Sequence, residues 1–456
     1  MPSDAPTRAR RRTELLIAFG ILLIVGPLIQ QWHSQPASRY LLTVAAIDDH
    51  SLELDPYEAY IGIDQARYRD HLYSDKAPYQ PLLAAPFYGA YRLAGGDAFP
   101  PDTAARGVDA LLDSKHVGLW WVTLWSSTIP AIFLILLLRR MIARDEPGVA
   151  TPVALAMLVG TLLLPFSSLL FAHVLSALLI AATWHLLRDE RGGARAAAGA
   201  GICLGLGIGT DYSLAALAVV FLVIVAWSRN VRRVAALCLG TVIATLPLML
   251  YNYLVFENPF EVAYQGHLPN FQGAGALGVY NLKVPRLEEI ERALVGDRGL
   301  FLLNPLMLMA FAGCVLAWRV GGRTRRDSRV AVVCFLVMLT LSTGIDGIGG
   351  ASPGPRYLIP AIPLFALPLA QAWKRYPFAC IGTTIIGAVT TITATITAPL
   401  DPGLSSWLRL LRDGNLVTNV FTGHGTVWPV VVGALSGLAV LLYVVANDAP
   451  AEAEIP

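Results

Sequence analysis

Charge is scarce in this 456-residue chain: 14% of its residues are Asp, Glu, Lys or Arg, against about a quarter in ordinary soluble domains. A hydrophobic share of 55% and a mean hydropathy of +0.56 exclude a water-soluble globular enzyme and imply an integral membrane protein. The formal net charge is only +2, so no basic excess points to nucleic acid, and local arginine clusters read as topology signals. Cysteine is sparse: Cys203, Cys238, Cys314, Cys334 and Cys380 all fall in apolar runs, which excludes a disulfide framework in the polar loops. Gly-rich phosphate loops, HExxH, CxxC and Ser-His-Asp spacings are missing too. No soluble nucleotide-binding domain is present, which argues against a nucleotide sugar used in the cytoplasm.

Long apolar runs are abundant. About twelve are long enough to cross a bilayer, near 14–30, 117–138, 149–165, 169–187, 197–210, 212–227, 234–254, 300–318, 330–345, 357–372, 378–398 and 427–446. The pair at 197–210 and 212–227 is weakest, being short and interrupted by Asp211. The expected fold is therefore all-α, a single polytopic membrane domain over 1–456. Short connectors on one side hold 20 of the 34 Lys and Arg residues, which predicts cytoplasmic N- and C-termini. A cleaved signal peptide at 8–37 is the rival reading of the N-terminus. The sizeable polar segments, 31–116, 255–299, 346–356 and 399–426, then lie on the outer face with six of the eight histidines. Trp120, Trp121, Trp227, Trp318, Trp373 and Trp428 mark span ends.

The first outer loop, 31–116, carries Asp48, Asp49, Glu53, Asp55, Glu58, Asp64, Asp70 and Asp75 within 28 positions. SRYLLTVAAIDDHSLEL predicts an amphipathic, interfacial helix from about Ser38, with Leu41, Val44, Ala45, Ile47 and Leu52 on one side. PLLAAPFYGAYRL predicts a second helix lying flat in the interface, with Leu82, Leu83, Phe87, Tyr88 and Tyr91 towards the acyl chains. Between them sits an acidic, tyrosine-rich hairpin ending in Ser74-Asp75-Lys76-Ala77-Pro78, where Pro78 restricts the backbone.

The long acidic loop after the first span, the Lys-x-Pro turn, the flat aromatic helix and the many later spans resemble the GT-C class of polyprenyl-phosphate-sugar-dependent glycosyltransferases. Protein O-mannosyltransferases and lipid A aminoarabinose transferases belong to that class. Locally, YSDKAP, GTDYS, GDRGLFLLNP and GGASPGPRYLIP resemble a bacterial subgroup placed with it. The resemblance implies a multi-pass enzyme of the bacterial plasma membrane, with a polyprenyl-phosphate-linked sugar as donor and an envelope glycan, lipid or protein as acceptor. It further implies direct displacement at the anomeric carbon, with a base for the acceptor hydroxyl and cations for the leaving phosphate. In the class an Asp-Glu pair commonly precedes an Arg-Tyr at the start of the first outer helix. Here Arg39-Tyr40 follows Pro36-Ala37-Ser38, so the base must come from elsewhere. Asp55 and Asp64 are the first candidates, Asp48 and Asp49 the second.

Lys76 matches the lysine of the class's Lys-Pro turn, where an ammonium can neutralise a lipid phosphate. Arg356, closing a Gly-rich turn, is the second candidate cation, able to grip phosphate with two donors; an interfacial anchor is the alternative. Tyr73, Asp75 and Tyr357 adjoin these cations and are counted with the substrate site. Asp211, a carboxylate at membrane depth, is costly enough to suggest function, although a hairpin tip in water would also hold one. His173 reads as a packing histidine, and Asp346 could pair with Arg356 or face substrate. Tyr264, His267, Asn270 and Phe271 in the second outer loop, 255–299, could face a sugar or simply form a cover. A divalent cation, Mg or Mn, could bind at Asp48 or Asp49, but adjacent helical carboxylates diverge by about 100° and cannot easily share one ion. Rival functions are a multi-pass transporter, which should show internal repeats, and a flippase or assembly factor for lipid-linked glycans.

Overall fold

The computed structural model describes residues 5–30, 32–99, 117–265, 267–268, 283–345, 347–401, 403–420 and 428–448. Every predicted apolar run holds helix. Five helices are long and apolar enough to cross a membrane by length and composition: Val117–Ala143, Val231–Phe256, Gly322–Ile345, Pro377–Ile396 and Trp428–Asn447. Shorter apolar helices, Pro147–Val159, His173–Arg188, Leu214–Trp227 and Leu306–Val320, fill the bundle between them. The two weakest runs become the helices Gly193–Thr210 and Leu214–Trp227. Asp211 ends the first, and its Oδ1 accepts from Ser213 N (3.0 Å) and Ser213 Oγ (2.7 Å) to open the second. The run beginning at 357 starts as a 3₁₀ helix, Arg356–Phe365, containing Pro360 and Pro363, before continuing as Ala366–Arg375. Both prolines lack the N–H that an α-helix would use.

Small residues set the closest helix pair. A Cβ on Gly201 would lie 2.1 Å from the Leu237 carbonyl oxygen, and one on Gly240 would lie 2.3 Å from that of Ala198. Helices Gly193–Thr210 and Val231–Phe256 therefore pack backbone to backbone. The first helix, Ala5–Val25, lies against the last in the same manner through Gly20 and Gly437.

The segment after the first helix builds a small aromatic core of its own. Trp32 stacks on Phe99 at 5.3 Å, and Tyr40 meets Tyr88 edge-on at 5.9 Å. Two expectations are corrected here. The helix predicted from Ser38 begins at Ser34 and buries Gln35 to Val44 on every side, so it is a core helix and not an interfacial one. The helix Tyr79–Leu93 rests on protein more than on lipid. Tyr88 is fully buried, its hydroxyl donating to Asp48 Oδ2 at 2.9 Å, and Phe87 stacks on Trp125 at 4.2 Å. Leu83, 44% exposed, keeps the predicted outward direction.

The acidic hairpin forms as expected. Gln65–Tyr68 pairs antiparallel with His71–Ser74, and Tyr68 faces His71 across a two-residue turn of Arg69 and Asp70. Both turn residues have positive φ (48° and 68°), which matches the twist of a tight hairpin. Among the proposed tryptophan anchors, Trp227 and Trp428 are exposed, whereas Trp373 is buried.

Candidate functional site

The hairpin delivers the chain directly into the Ser74–Pro78 turn. Lys76, 5% exposed, donates from Nζ to Asp64 Oδ1 at 2.7 Å and to Asp75 Oδ2 at 2.5 Å. Asp64 also accepts from the Ser34 hydroxyl, and Asp75 Oδ1 accepts from Ser38 Oγ at 3.0 Å. Burial would raise the Asp64 carboxyl, but the Lys76 ammonium and the Ser34 hydroxyl outweigh it and bring the pKa to about 2. The more deeply buried Asp75 is shifted the other way, above the usual carboxylate range.

Lys76 opens into a narrow cavity also lined by Gln35, Arg39, His173, Asp211 and Arg356. Tyr212, Tyr264 and Tyr357 complete its aromatic wall. The Arg356 guanidinium lies over the rings of Tyr357 (5.3 Å) and Phe171 (5.7 Å), and Arg39 lies over the same Phe171 at 5.9 Å. Arg39 donates from Nη1 to Gln35 Oε1 at 2.7 Å, and its buried Nε has no acceptor. Among the described residues no carboxylate comes within ion-pair distance of Arg39 or Arg356. Of the described residues, three cations and a single carboxylate, Asp211, thus line the cavity. Asp211 Oδ2 lies 3.3 Å from His173 Nδ1, within ion-pair reach but off-line for a straight hydrogen bond.

Two features fix this geometry. Arg298 donates to the carbonyl oxygens of Gly350 (3.2 Å) and Ser352 (2.9 Å), pinning the Gly-rich turn that leads to Arg356. Within that turn Gly349 has φ 93°, and a Cβ there would sit 2.7 Å from Arg356 Nε. Tyr79, three residues past Lys76, lodges its ring where a Cβ on Gly209 would come within 2.3 Å. Its hydroxyl donates to Ala244 O (2.7 Å) and accepts from Leu248 N (2.8 Å). Those two groups would otherwise bond to each other within the helix, so Tyr79 wedges open the turn containing Pro247.

Of the candidates from sequence, Lys76, Asp75, Asp64, Arg356, Tyr357 and Asp211 come together around this cavity, and Tyr264 joins them. Asp55 does not: it accepts from Leu72 N (3.0 Å), lies 3.1 Å from His71 Nδ1, and faces a separate exposed groove. Asp48 pairs with Arg92 (2.8 Å), and Asp49 accepts from the Tyr57 hydroxyl (2.8 Å). The five-residue π-turn at Ala45–Asp49 sends the two in different directions, so neither a shared ion nor a base at the cavity fits them. Among the described residues the grouping with metal-ligand spacing is Glu53, Asp55 and His71, all exposed. Tyr73 packs towards Phe256 on helix Val231–Phe256 and away from the cavity. His267 bonds Glu261 at 2.7 Å and its carbonyl accepts from Arg67 N at 2.8 Å, making it part of a cover over the hairpin. Asn270, Phe271 and Asp346 lie outside the described residues. Arg39 and Gln35 were missed as site residues. Their i, i+4 spacing in an otherwise acid-free helix was the available signal.

The chain matches no protein-family model and no curated protein. Its fold matches the crystal structure of ArnT from Cupriavidus metallidurans bound to undecaprenyl phosphate, with a TM-score of 0.52 and 14% identity, over 98% of this chain and 78% of that one. The apo state of the same protein gives a TM-score of 0.52 and 15% identity over the same shares. The likeness is one of fold. The all-α, polytopic architecture expected from the sequence is the architecture found, and it is the fold of that protein.

Proposed function

We propose that this protein is a membrane glycosyltransferase that moves a sugar from a polyprenyl-phosphate carrier to an envelope glycan, lipid or protein acceptor on the outer face of the bacterial plasma membrane. The observation carrying this reading is the convergence of Arg39, Lys76 and Arg356 on one cavity where, among the described residues, Asp211 is the single lining carboxylate. Lys76 is paired with Asp64 and Asp75, but among the described residues Arg39 and Arg356 have no carboxylate within ion-pair distance; buried cations left so are expensive, and a bound phosphate would satisfy them. The fold likeness to an ArnT crystallised with undecaprenyl phosphate supports the same ligand class here.

In this reading Lys76 is a preset charge, aimed by Asp64 and Asp75, while Arg39 and Arg356 close on the phosphate oxygens. Their hydrogen bonds strengthen as negative charge builds on the leaving phosphate, which is where stabilisation accelerates transfer. Phe171 beneath both guanidinia keeps them from turning towards water. The test is binding of undecaprenyl phosphate to the purified protein in nanodiscs, together with lipid-linked glycan profiling of a deletion strain. Saturable binding and an accumulated lipid-linked sugar are expected; no binding and an unchanged profile would reject the reading. The outer-face assignment is tested separately with an impermeant thiol reagent. Cysteine at the exposed Asp70 should react on intact cells and cysteine at the exposed Arg323 should not.

A further inference from the structure

Displacement at an anomeric carbon needs an acceptor for the proton of the incoming hydroxyl. Helix Ser34–Val44, which supplies Gln35 and Arg39, contains no carboxylate. The acids nearest the cavity are committed elsewhere. Asp64 presents one oxygen to Lys76 and the other to Ser34, and Asp75 divides its oxygens between Lys76 and Ser38. Neither lines the cavity. Asp211 does, but its Oδ1 takes two bonds from Ser213 and its Oδ2 faces His173 Nδ1 at 3.3 Å.

His173 opens helix His173–Arg188 and is 4% exposed. The rings of Phe166 (5.5 Å), Phe171 (6.0 Å) and Tyr357 (5.9 Å) hold it in place. A carboxylate beside Nδ1 favours the tautomer protonated there, which leaves Nε2 on the other edge of the ring as an acceptor. The ring lines the same cavity as the three cations.

We propose that His173 is the general base of the transfer and that Asp211 is its positioning residue. The proposal rests on reading the cavity as a sugar-transfer site. His173 Nε2 takes the proton of the acceptor hydroxyl while that oxygen's electron pair forms the bond to the anomeric carbon. The bond from that carbon to the phosphate oxygen breaks, and its electron pair leaves on the phosphate held by Arg39, Lys76 and Arg356. Asp211 stabilises the imidazolium that forms. The other groups facing His173 are Arg39 from helix Ser34–Val44, Lys76 from the turn, and Arg356 and Tyr357 from the 3₁₀ helix.

The experiment supplies the full-length protein in nanodiscs with polyprenyl-phosphate-linked pentoses and hexoses and a membrane extract as acceptor source. Released polyprenyl phosphate is then followed across pH. His173→Ala is expected to lower kcat by about 10²–10⁴-fold, with KM for the donor changed less than about threefold, and added imidazole should restore part of the rate. Asp211→Asn should cost less and shift the acid limb of the rate profile, because the carboxylate that orients the ring and steadies the imidazolium is lost. His173→Gln keeps a polar side chain in place without proton uptake, and covers the case in which the alanine variant fails to fold. Wild-type kcat in His173→Gln, or a rate profile unmoved by Asp211→Asn, would overturn the proposal. A wild-type protein that consumes no donor would remove the transferase reading and this base with it. Turnover by the wild type beside an equally active His173→Gln would remove the base alone.

Discussion

The buried charges around Arg188 and those around Lys76 differ in how completely they are paired. Around Arg188, 5% exposed, every partner is accounted for. Its Nε and Nη2 donate to both oxygens of Asp327 at 2.6–3.1 Å, Asp145 adds a further contact, and Trp184 Nε1 donates to Asp327 Oδ1 at 3.0 Å. The cluster ties helix His173–Arg188 to helix Gly322–Ile345. Around Lys76 the ammonium is paired on both sides, yet beside it, among the described residues, Arg39 and Arg356 meet no carboxylate and Arg39 Nε has no acceptor. A saturated cluster holds helices together; one with a surplus of one sign, opening into a cavity, is built to receive the other sign. Burial is similar in both, so pairing and not depth separates them.

The largest effect should come from the saturated cluster. Arg188→Ala strands Asp327, 2% exposed, and removal of one partner of a buried pair costs about 3–5 kcal/mol. Thermal unfolding in detergent should record that loss, while the folded fraction keeps its affinity for polyprenyl phosphate. An unchanged melting temperature would erase the distinction drawn above.

Arg356→Ala should do the reverse. Loss of charge-assisted hydrogen bonds worth about 1.5–3 kcal/mol predicts polyprenyl phosphate binding weaker by about ten- to a hundredfold, with little change in melting temperature. Lys76→Ala is expected to fall on both sides, losing stability and binding together. A simple phosphate ligand at the membrane surface would be removable without harm to the fold, but this lysine neutralises two buried carboxylates. Combining it with Asp64→Asn should return part of the stability and none of the binding.

A smaller change is expected from Tyr79→Phe. The variant keeps the ring against Gly209, so the turn stays wedged open, and it removes the hydroxyl that bridges Leu248 N–H and Ala244 C=O, leaving both unsatisfied in a helix interior. Unsatisfied buried groups cost about 1–3 kcal/mol, read as a lowered melting temperature. Smallest of all is the exposed pair at the hairpin. His71 is raised above its ordinary pKa, chiefly by its hydrogen bond to Asp55 and then by Glu53. A raised pKa gives stabilisation that is full below the ordinary histidine value and fades as pH climbs through the folded one. Asp55→Asn should lower the His71 pKa in an NMR titration and leave binding at the Lys76 cavity intact. Loss of that binding would place Asp55 back at the site.

Much of this was legible in the residues. Span-length hydrophobic runs dictate helices because backbone groups in hydrocarbon must pair within their own segment, and the twelve apolar runs all hold helix. The hairpin, the Pro78 turn and the helix expected from Pro81, which begins two residues earlier at Tyr79, were equally local. The site was legible only in part. Lys76 and Arg356 stood out because a charge beside an apolar segment is costly wherever it packs, and they do share a cavity across 280 positions. The choice among carboxylates was not legible, since Asp48, Asp49, Asp55 and Asp64 look alike as sequence. Tertiary pairing turned Asp48 to Arg92, Asp49 to Tyr57, Asp55 to His71 and Asp64 to Lys76.

The sequence by itself determined a polytopic helical chain, the turn that presents Lys76, and the poverty of charge that makes each buried ion informative. Only the tertiary structure decided which ions are saturated and which face a cavity. Helix formation depends on neighbours within a few residues, whereas the fate of a buried charge depends on whichever distant side chain packing brings within about 4 Å. Arg39 shows the division: its helix was predicted from its neighbours, and its lack of a carboxylate partner became visible only once Phe171, Arg356 and Asp211 stood around it.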